Sequence, residues 1–336
     1  MISEKSPRIL IIRRDNIGDL VCTTPLLHAL RQRFPGAWIG ALVNSYNAPV
    51  LDGNPDLDEV FVYTKAKHRS AGQSLFDILW RRLKMLLALR RRHIDDILIA
   101  TTSWQPRTVR LAHWLNSRRV VGFADRARKG LDVALLPEAK PLHEVEDVFR
   151  LARLYDIEGE PPSLQVVAPE ASTHHEIRIA IHISARKPSQ RWPGERYAEL
   201  MRMLRERHGA RFVLLWSPGG NDNPLHPGDD EKAAEILRRL GNGFPVEATV
   251  TTTLRQLIAA LSTCDAMVCS DGGAMHLAAG LGLPIVCLFG DSGATRWRPW
   301  GVPYRLLQKE NLDVTDIGVD EVFAAFNELP LRKGQA

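Results

Sequence analysis

Three short stretches place charged or hydroxyl-bearing residues directly after apolar runs. In the first, Ser270-Asp271-Gly272-Gly273-Ala274-Met275-His276 follows the apolar run at 266–269 and opens a helix-like run of small residues. Ligands of open parallel sheets sit outside the C-terminal strand ends. A helix N-terminus there offers unpaired N–H groups and a positive dipole end to a phosphate. Gly272 and Gly273 leave space for a ligand close to the backbone. The plainer alternative is a tight strand–helix turn with Asp271 as its cap. His276, on the first turn, is either a packed or capping histidine or a donor to the same phosphate.

In the second stretch, Ser184, Arg186, Lys187, Ser189 and Arg191 follow an apolar run at 177–183 and precede Trp192-Pro193. Hydroxyls and cations at a strand end suit a pyrophosphate, although exposed basic loops are common. One shared ligand would account for two such strand ends in one half of the chain. The third stretch is RRDNIGDLVCTTP, residues 13–25, directly after Ile9-Leu10-Ile11-Ile12. Thr24 is the expected N-cap of a helix over 25–34, with Pro25 at its first position. Asp19 lies five residues before Thr24. It is therefore not the obvious cap of that helix, although it could cap a preceding short turn; the expectation is that Asp19 points into a cleft between two domains and does not cap its own helix. A carboxylate there can take a proton from an incoming hydroxyl. Gly18, just before Asp19, permits an unusual backbone angle. Arg13, Arg14 and Asp15 share the loop, either to hold anionic groups or to pair with Asp19.

Other chemistries lack their motifs. There is no G-x-G-x-x-G, G-x-x-x-x-G-K-[ST], H-E-x-x-H or G-x-S-x-G. The 11 histidines do not cluster at metal spacing, so neither a metal site nor a cofactor is expected. Cys22, Cys264, Cys269 and Cys287 form no C-x-x-C pair and read as reduced core residues. The formal charge of +5 and pI near 9.1 imply an acidic partner: nucleic acid, an anionic lipid surface or a phosphorylated small molecule. No nucleic-acid module is recognisable, so nucleic acid is not expected. No apolar run approaches the ~18–20 residues that span a bilayer. The start MISEKSPRIL has no secretion-signal pattern, so a cytoplasmic location is expected.

The elements that must position these residues alternate between strand and helix. Strands are expected over 8–12, 38–43, 60–63, 97–100 and 120–122, with helices over 25–34, 107–115 and 143–155. EGEPPSLQVVAPEAS, residues 158–172, has three prolines and no helical period. It reads as a linker holding one short strand at 164–167. Strands resume over 177–183, 211–216, 266–269 and 285–289. Helices intervene over 193–208, 231–240, 254–262 and 274–280, and a last one spans 319–329. This is the pattern of mostly parallel sheets covered on both faces. Three parts are expected: residues 1–165, 173–318, and a C-terminal helix and tail over 319–336.

Between the third and fourth strands, residues 65–93 hold nine Lys or Arg against Asp77 alone. Leu79, Leu83 and Leu86 recur there at helical spacing, with Arg81, Lys84 and Arg91 on another face. Such a helix is either a solvated basic face or a docking surface for an anionic membrane or substrate.

Four stretches, in order, resemble glycosyltransferase family nine, the bacterial ADP-heptose:lipopolysaccharide heptosyltransferases. ILIIRRDNIGDLVCTTPLLHALRQRFP is similar to the family's first strand, G-D loop and helix. NAPVLDGNPDLDEVFVY resembles its N-P turn, SQRWPGERYAEL its W-P helix start, and SDGGAMHLAAGLGLPIVCLFGDS its D-[ST]-G-x-x-H-x-x-A-A segment. The resemblance covers nearly the whole chain. It implies an α/β GT-B fold of two facing Rossmann-like domains with mostly parallel sheets, the N-terminal one for the acceptor and the C-terminal one for the donor. It also implies inverting, metal-independent transfer of a heptose from ADP-heptose to an anionic lipopolysaccharide core acceptor.

On this resemblance Asp19 falls on the catalytic base. Ser184, Lys187, Arg191, Asp271, Gly272, Gly273, Ala274, Met275 and His276 fall to the donor. Arg13, Lys65, Lys67, Arg69, Arg107 and Arg128 are expected at the acceptor. The basic region is expected to hold the protein peripherally on the inner face of the inner membrane. Two positions depart from the family: Gln190 stands where it has a lysine, and Gly272 where it has Ser or Thr. They leave open another nucleotide sugar as donor, or a member that binds a nucleotide sugar without catalysis.

Overall fold

In the computed structural model, residues 6–63, 75–126, 128–169, 176–220 and 228–331 are described, with side chains from residue 80 onward in the helix Leu75–Arg90. The chain divides into two compact units, residues 1–162 and 163–336. In the first, six strands pair in parallel: β1 (Arg8–Arg13), β2 (Trp38–Asn44), β3 (Glu59–Tyr63), β4 (Asp96–Ile99), β5 (Arg119–Phe123) and β6 (Val133–Leu135). Their order is β3-β2-β1-β4-β5-β6. The second unit holds β7 (Arg178–His182), β8 (Arg211–Trp216), β9 (Val246–Val250), β10 (Ala266–Ser270), β11 (Ile285–Phe289) and β12 (Tyr304–Gln308), again all parallel. Their order is β12-β11-β10-β7-β8-β9. Numbered from its own first strand, each sheet therefore runs 3-2-1-4-5-6, the Rossmann order. Two such units make the GT-B fold.

The central strands form because their residues are apolar on both faces, as a sheet covered by helices on both sides requires. RILIIR, RFVLLW, AMVCS and IVCLF are buried almost throughout. The three strands that the sequence does not announce, β6, β9 and β12, each end a sheet and are half-exposed. An edge strand needs no continuous apolar run, so VEATV and YRLLQ carry little signal, and VAL is only three residues long.

Other differences have local causes. The strand expected over 164–167 does not form; there Val166 N–H donates to Gly280 O at 2.9 Å and Leu164 and Val166 are buried. The helix expected over 143–155 is an α-helix, Glu144–Phe149, that tightens to 3-10 geometry over Arg150–Tyr155. The helix expected over 25–34 begins at Thr24, with Thr23 as N-cap. Val319–Asn327, expected as a separate terminal element, packs into the second unit's core through Val322 and Phe326. Trp192 anchors the same core, its Nε1 donating to Ile317 O at 2.9 Å. All four cysteines are buried and unbridged.

Candidate active site

In a sheet of this order the chain leaves its first and fourth strands in opposite directions, and the crevice between their C-terminal ends is where ligands bind. In the first unit that switch point lies between β1 and β4. Arg13, the last residue of β1, is only 1% exposed. Its guanidinium donates from Nη2 to Asp19 Oδ1 at 2.8 Å and to Glu144 Oε1 at 2.6 Å. Its Nε lies 3.1 Å from Asp15 Oδ2. Nη1 donates to the carbonyl of Ala100, just past β4. Burial alone would lower the Arg13 pKa, but Glu144, Asp19 and Asp15 outweigh it and raise it. Thr101 Oγ1 donates to Asp15 at 2.8 Å, so the network spans the switch point.

Two expectations at this loop are corrected. Arg13 does not reach out to an acceptor: it is the internal counter-ion of three carboxylates. Asp19 does cap its own helix, the five-residue turn Ile17–Val21, where its Oδ2 accepts from Asn16 N–H at 2.9 Å. Gly18 sits inside that turn and not among the glycines with positive φ. The turn places Asp19 at the third helical position, where a carboxylate also meets the positive end of the helix dipole. The phenol of Tyr46 lies nearby, with a pKa pushed up to about 12, first by burial and then by Asp19.

Because all strands are parallel, the loops after β1, β4 and β5 share one edge of the sheet. Arg107 is exposed there, in the first turn of the helix Pro106–Leu115. Arg128 lies 2.8 Å from Asp125 and stacks 5.7 Å from the ring centroid of Trp104. Lys65, Lys67 and Arg69 lie outside the described residues. Glu144 had no sequence signal: it is 125 residues from Asp19 and opens an ordinary helix.

In the second unit the switch point lies between β7 and β10. Asp271 directly follows β10, and its Oδ2 accepts from Gln190 Nε2 at 3.0 Å. Gln190 also donates to Ser292 Oγ, so its amide joins the turns after β7, β10 and β11. Burial raises the Asp271 pKa, against the hydrogen bonds from Ser292 and Gln190. Lys187 Nζ lies 3.0 Å from Asp291, which also accepts from Ser189 Oγ at 2.9 Å. Gly290 makes this packing possible: a Cβ there would stand 2.3 Å from the carbonyl oxygen of Ser189.

The turn after β10 opens the helix Gly273–Gly280. Gly272 caps it in extended geometry, φ 165°, and a Cβ added there would meet nothing within 4 Å. The open space in front of the helix, rather than a glycine-only conformation, is thus what this residue provides. Met275 N–H donates to Gly272 O at 3.1 Å, and the Met275 and Ala274 side chains are buried. His276 is buried, its ring in edge contact with Trp297 at 6.0 Å.

Ser184 Oγ accepts from Ser217 N–H at 2.9 Å, tying the ends of β7 and β8 together. Arg191 turns its guanidinium onto the carbonyls of Ala185 and Arg186, both at 3.2 Å. Beside it opens a cavity of about 240 Å³, lined by Arg191, Trp192, Gly194, Asp229, Glu231 and Lys232 among others. Sequence reading missed Lys232. It donates to Ile183 O at 3.0 Å, and burial lowers its pKa to about 8. His182, at the end of β7, is held down to about 4, first by burial and then by Lys232. Asp229 Oδ2 is buried with no hydrogen-bond partner. The cavity offers cations to an anion and a spare acceptor to hydroxyls. Among the described residues no group of three or more His, Cys, Asp or Glu is placed to hold a metal ion.

A family model described as glycosyltransferase family 9 (heptosyltransferase) matches residues 82–316. Lipopolysaccharide heptosyltransferase 2 of Escherichia coli strain K12 is 29% identical over 312 residues, covering 85% of this chain and 83% of that protein. A glycosyl transferase family 9 structure from Veillonella parvula superimposes with a TM-score of 0.78 at 20% identity, covering 96% of both chains. The structure of E. coli ADP-heptose lps heptosyltransferase II does so with a TM-score of 0.76 at 22% identity, covering 95% of this chain and 97% of that one.

Proposed function

The chain belongs to glycosyltransferase family 9, the heptosyltransferase family, and we propose that it moves a heptose from ADP-heptose to an anionic, lipid-linked lipopolysaccharide core acceptor, with inversion and without a metal. The observation that carries this reading is the pair of switch points. One presents a carboxylate, Asp19, fixed by a buried arginine. The other presents cations, an open helix N-terminus and a polar cavity.

In this reading the acceptor hydroxyl oxygen attacks the anomeric carbon as its proton passes to Asp19. The bond from that carbon to the diphosphate oxygen breaks on the opposite face, which inverts the centre. The leaving diphosphate gathers negative charge, and preorganised N–H groups at Gly273 and Ala274, with Lys187, Arg191 and Lys232, offset it. Asp271 serves by fixing the turn through Gln190 and Ser292 and not by touching the reacting atoms. Gln190 has no charge to give; its two hydrogen bonds support a positioning role.

Arg107 and Arg128 lie at the same sheet edge as Asp19 and suit a phosphorylated acceptor. The basic run at 65–93 would draw the first unit to the anionic inner face of the inner membrane. Among the described residues no helix is long and apolar enough to cross a membrane.

The test combines the purified chain with ADP-heptose and heptose-deficient core acceptors, reading ADP release and the mass of the product. Release that needs both substrates, persists in chelator and yields the inverted linkage supports the proposal. Donor binding without transfer to any core acceptor would overturn it.

A further inference from the structure

The helix Leu75–Arg90 divides the leucines of that spacing between core and solvent. Leu89 is fully buried and Leu86 and Met85 pack against the first unit's core, whereas Leu83 faces solvent. Trp80, Leu83 and Leu87 are 49%, 41% and 40% exposed. Their spacing, followed by Arg90, puts them in one line along the helix. The stripe continues onto the neighbouring helix Pro106–Leu115, where Trp114 is exposed and lies 5.3 Å from the Arg90 guanidinium.

Cations flank the stripe and acids are missing. Arg81, Lys84, Arg90 and Arg91 are exposed and form no ion pair among the described residues. Lys84 Nζ stands over the Trp80 ring at 5.3 Å. No acidic residue occurs between Asp77 and Asp95. A solvated basic helix does not need three large apolar side chains on its water side. A protein partner with an acidic face would match the cations but leave the tryptophan and leucines without purpose. The combination of Trp and Leu on one line with Lys and Arg beside it fits the headgroup–acyl boundary of a bilayer.

We propose that this stripe docks the first unit onto an anionic lipid bilayer, with Trp80, Leu83 and Leu87 entering the interface while Arg81, Lys84, Arg90 and Arg91 meet lipid phosphates. Electrostatic attraction alone would hold a basic region above the surface; the apolar stripe adds a second, salt-resistant contribution. The helix starts at the C-terminal edge of the sheet, the edge that carries Asp19, so the Trp80 end lies towards the acceptor loops. The inference rests on the reading of a lipid-linked acceptor for its purpose, but vesicle binding itself requires neither donor nor acceptor.

The experiment is co-sedimentation of the full chain with phosphatidylethanolamine–phosphatidylglycerol vesicles and with pure phosphatidylcholine vesicles, at low and high salt. The expected result is binding to the anionic vesicles that weakens with salt but persists, and that falls about tenfold in Leu83→Ser/Leu87→Ser. Arg81→Glu/Lys84→Glu should lose the salt-sensitive part. Because these side chains are exposed, the variants should keep the wild-type circular dichroism and melting temperature. Transfer to a short, delipidated acceptor should be unchanged in them. If the serine variant binds vesicles as well as wild type, the apolar contribution is refuted. If the wild type ignores vesicles but forms a concentration-dependent dimer that the serine variant abolishes, a second copy covers the stripe and the proposal falls.

Discussion

Arg13 Nη2 lies 2.8 Å from Asp19 Oδ1, and the whole guanidinium is sealed from water. The carboxylate is therefore oriented by a group that cannot leave: Arg13 is itself held by Glu144, Asp15 and the Ala100 carbonyl. One Asp19 oxygen goes to Arg13 and the other to the Asn16 N–H. With both engaged, the carboxylate is held in one orientation, which the proposed role as base would exploit.

Asp19→Asn keeps the shape of the turn but removes the proton acceptor. Transfer should fall by about 10²–10⁴-fold, while donor affinity measured by calorimetry stays near wild type. Wild-type turnover in this variant would remove Asp19 from the chemistry.

Arg13→Met should be far worse for the fold than its single position suggests. It leaves three carboxylates facing each other with no cation between them. Breaking a buried charge pair on one side costs about 3–5 kcal/mol, so urea unfolding should move to a clearly lower midpoint. A variant as stable as wild type would mean that the carboxylates find other partners.

Two glycines of the second unit make opposite predictions. Gly290→Ala forces a Cβ to 2.3 Å from a backbone oxygen, so stability should drop by at least about 1–3 kcal/mol and donor binding with it. Gly272→Ser meets nothing within 4 Å and should change stability by less than about 0.5 kcal/mol. Thermal melts and donor titration of the two variants, side by side, check both.

His182 gives a pH signature. Its pKa falls from 6.5 to about 4 on folding. Between those values the unfolded chain takes up a proton that the folded chain refuses, so stability declines as pH falls from 6.5 towards 4. His182→Gln should flatten that decline, by up to about 3 kcal/mol across the window. Denaturant unfolding at several pH values reads the difference between the two slopes.

The central strands were legible because burial on both faces leaves an apolar run, and the loops after them because charges gather at strand ends. The edge strands β6, β9 and β12 were not, since half-exposed backbone pairing asks little of side chains. At the site, Asp19, Asp271 and the Lys187–Arg191 loop could be picked out from local pattern. Glu144 and Lys232 could not: each acts through a contact across the fold, to Arg13 and to Ile183, that no local spacing encodes. For Arg13 the sequence left two readings open, an acceptor contact or a pair with Asp19, because a basic residue at a strand end looks identical whether it faces water or three buried acids; the second holds. The leucine spacing in 75–90 named an apolar face without saying which of its members meet the core: Leu86 does and Leu83 does not.

The two sheets repeat one strand order, and each is completed from its own unbroken stretch of chain. No described strand of either sheet is lent by the other unit. During synthesis, residues 1–162 can thus finish pairing and close their core while the remainder is still in the ribosome. The buried Arg13 network, whose members all come from that stretch, would then be assembled before the second unit exists.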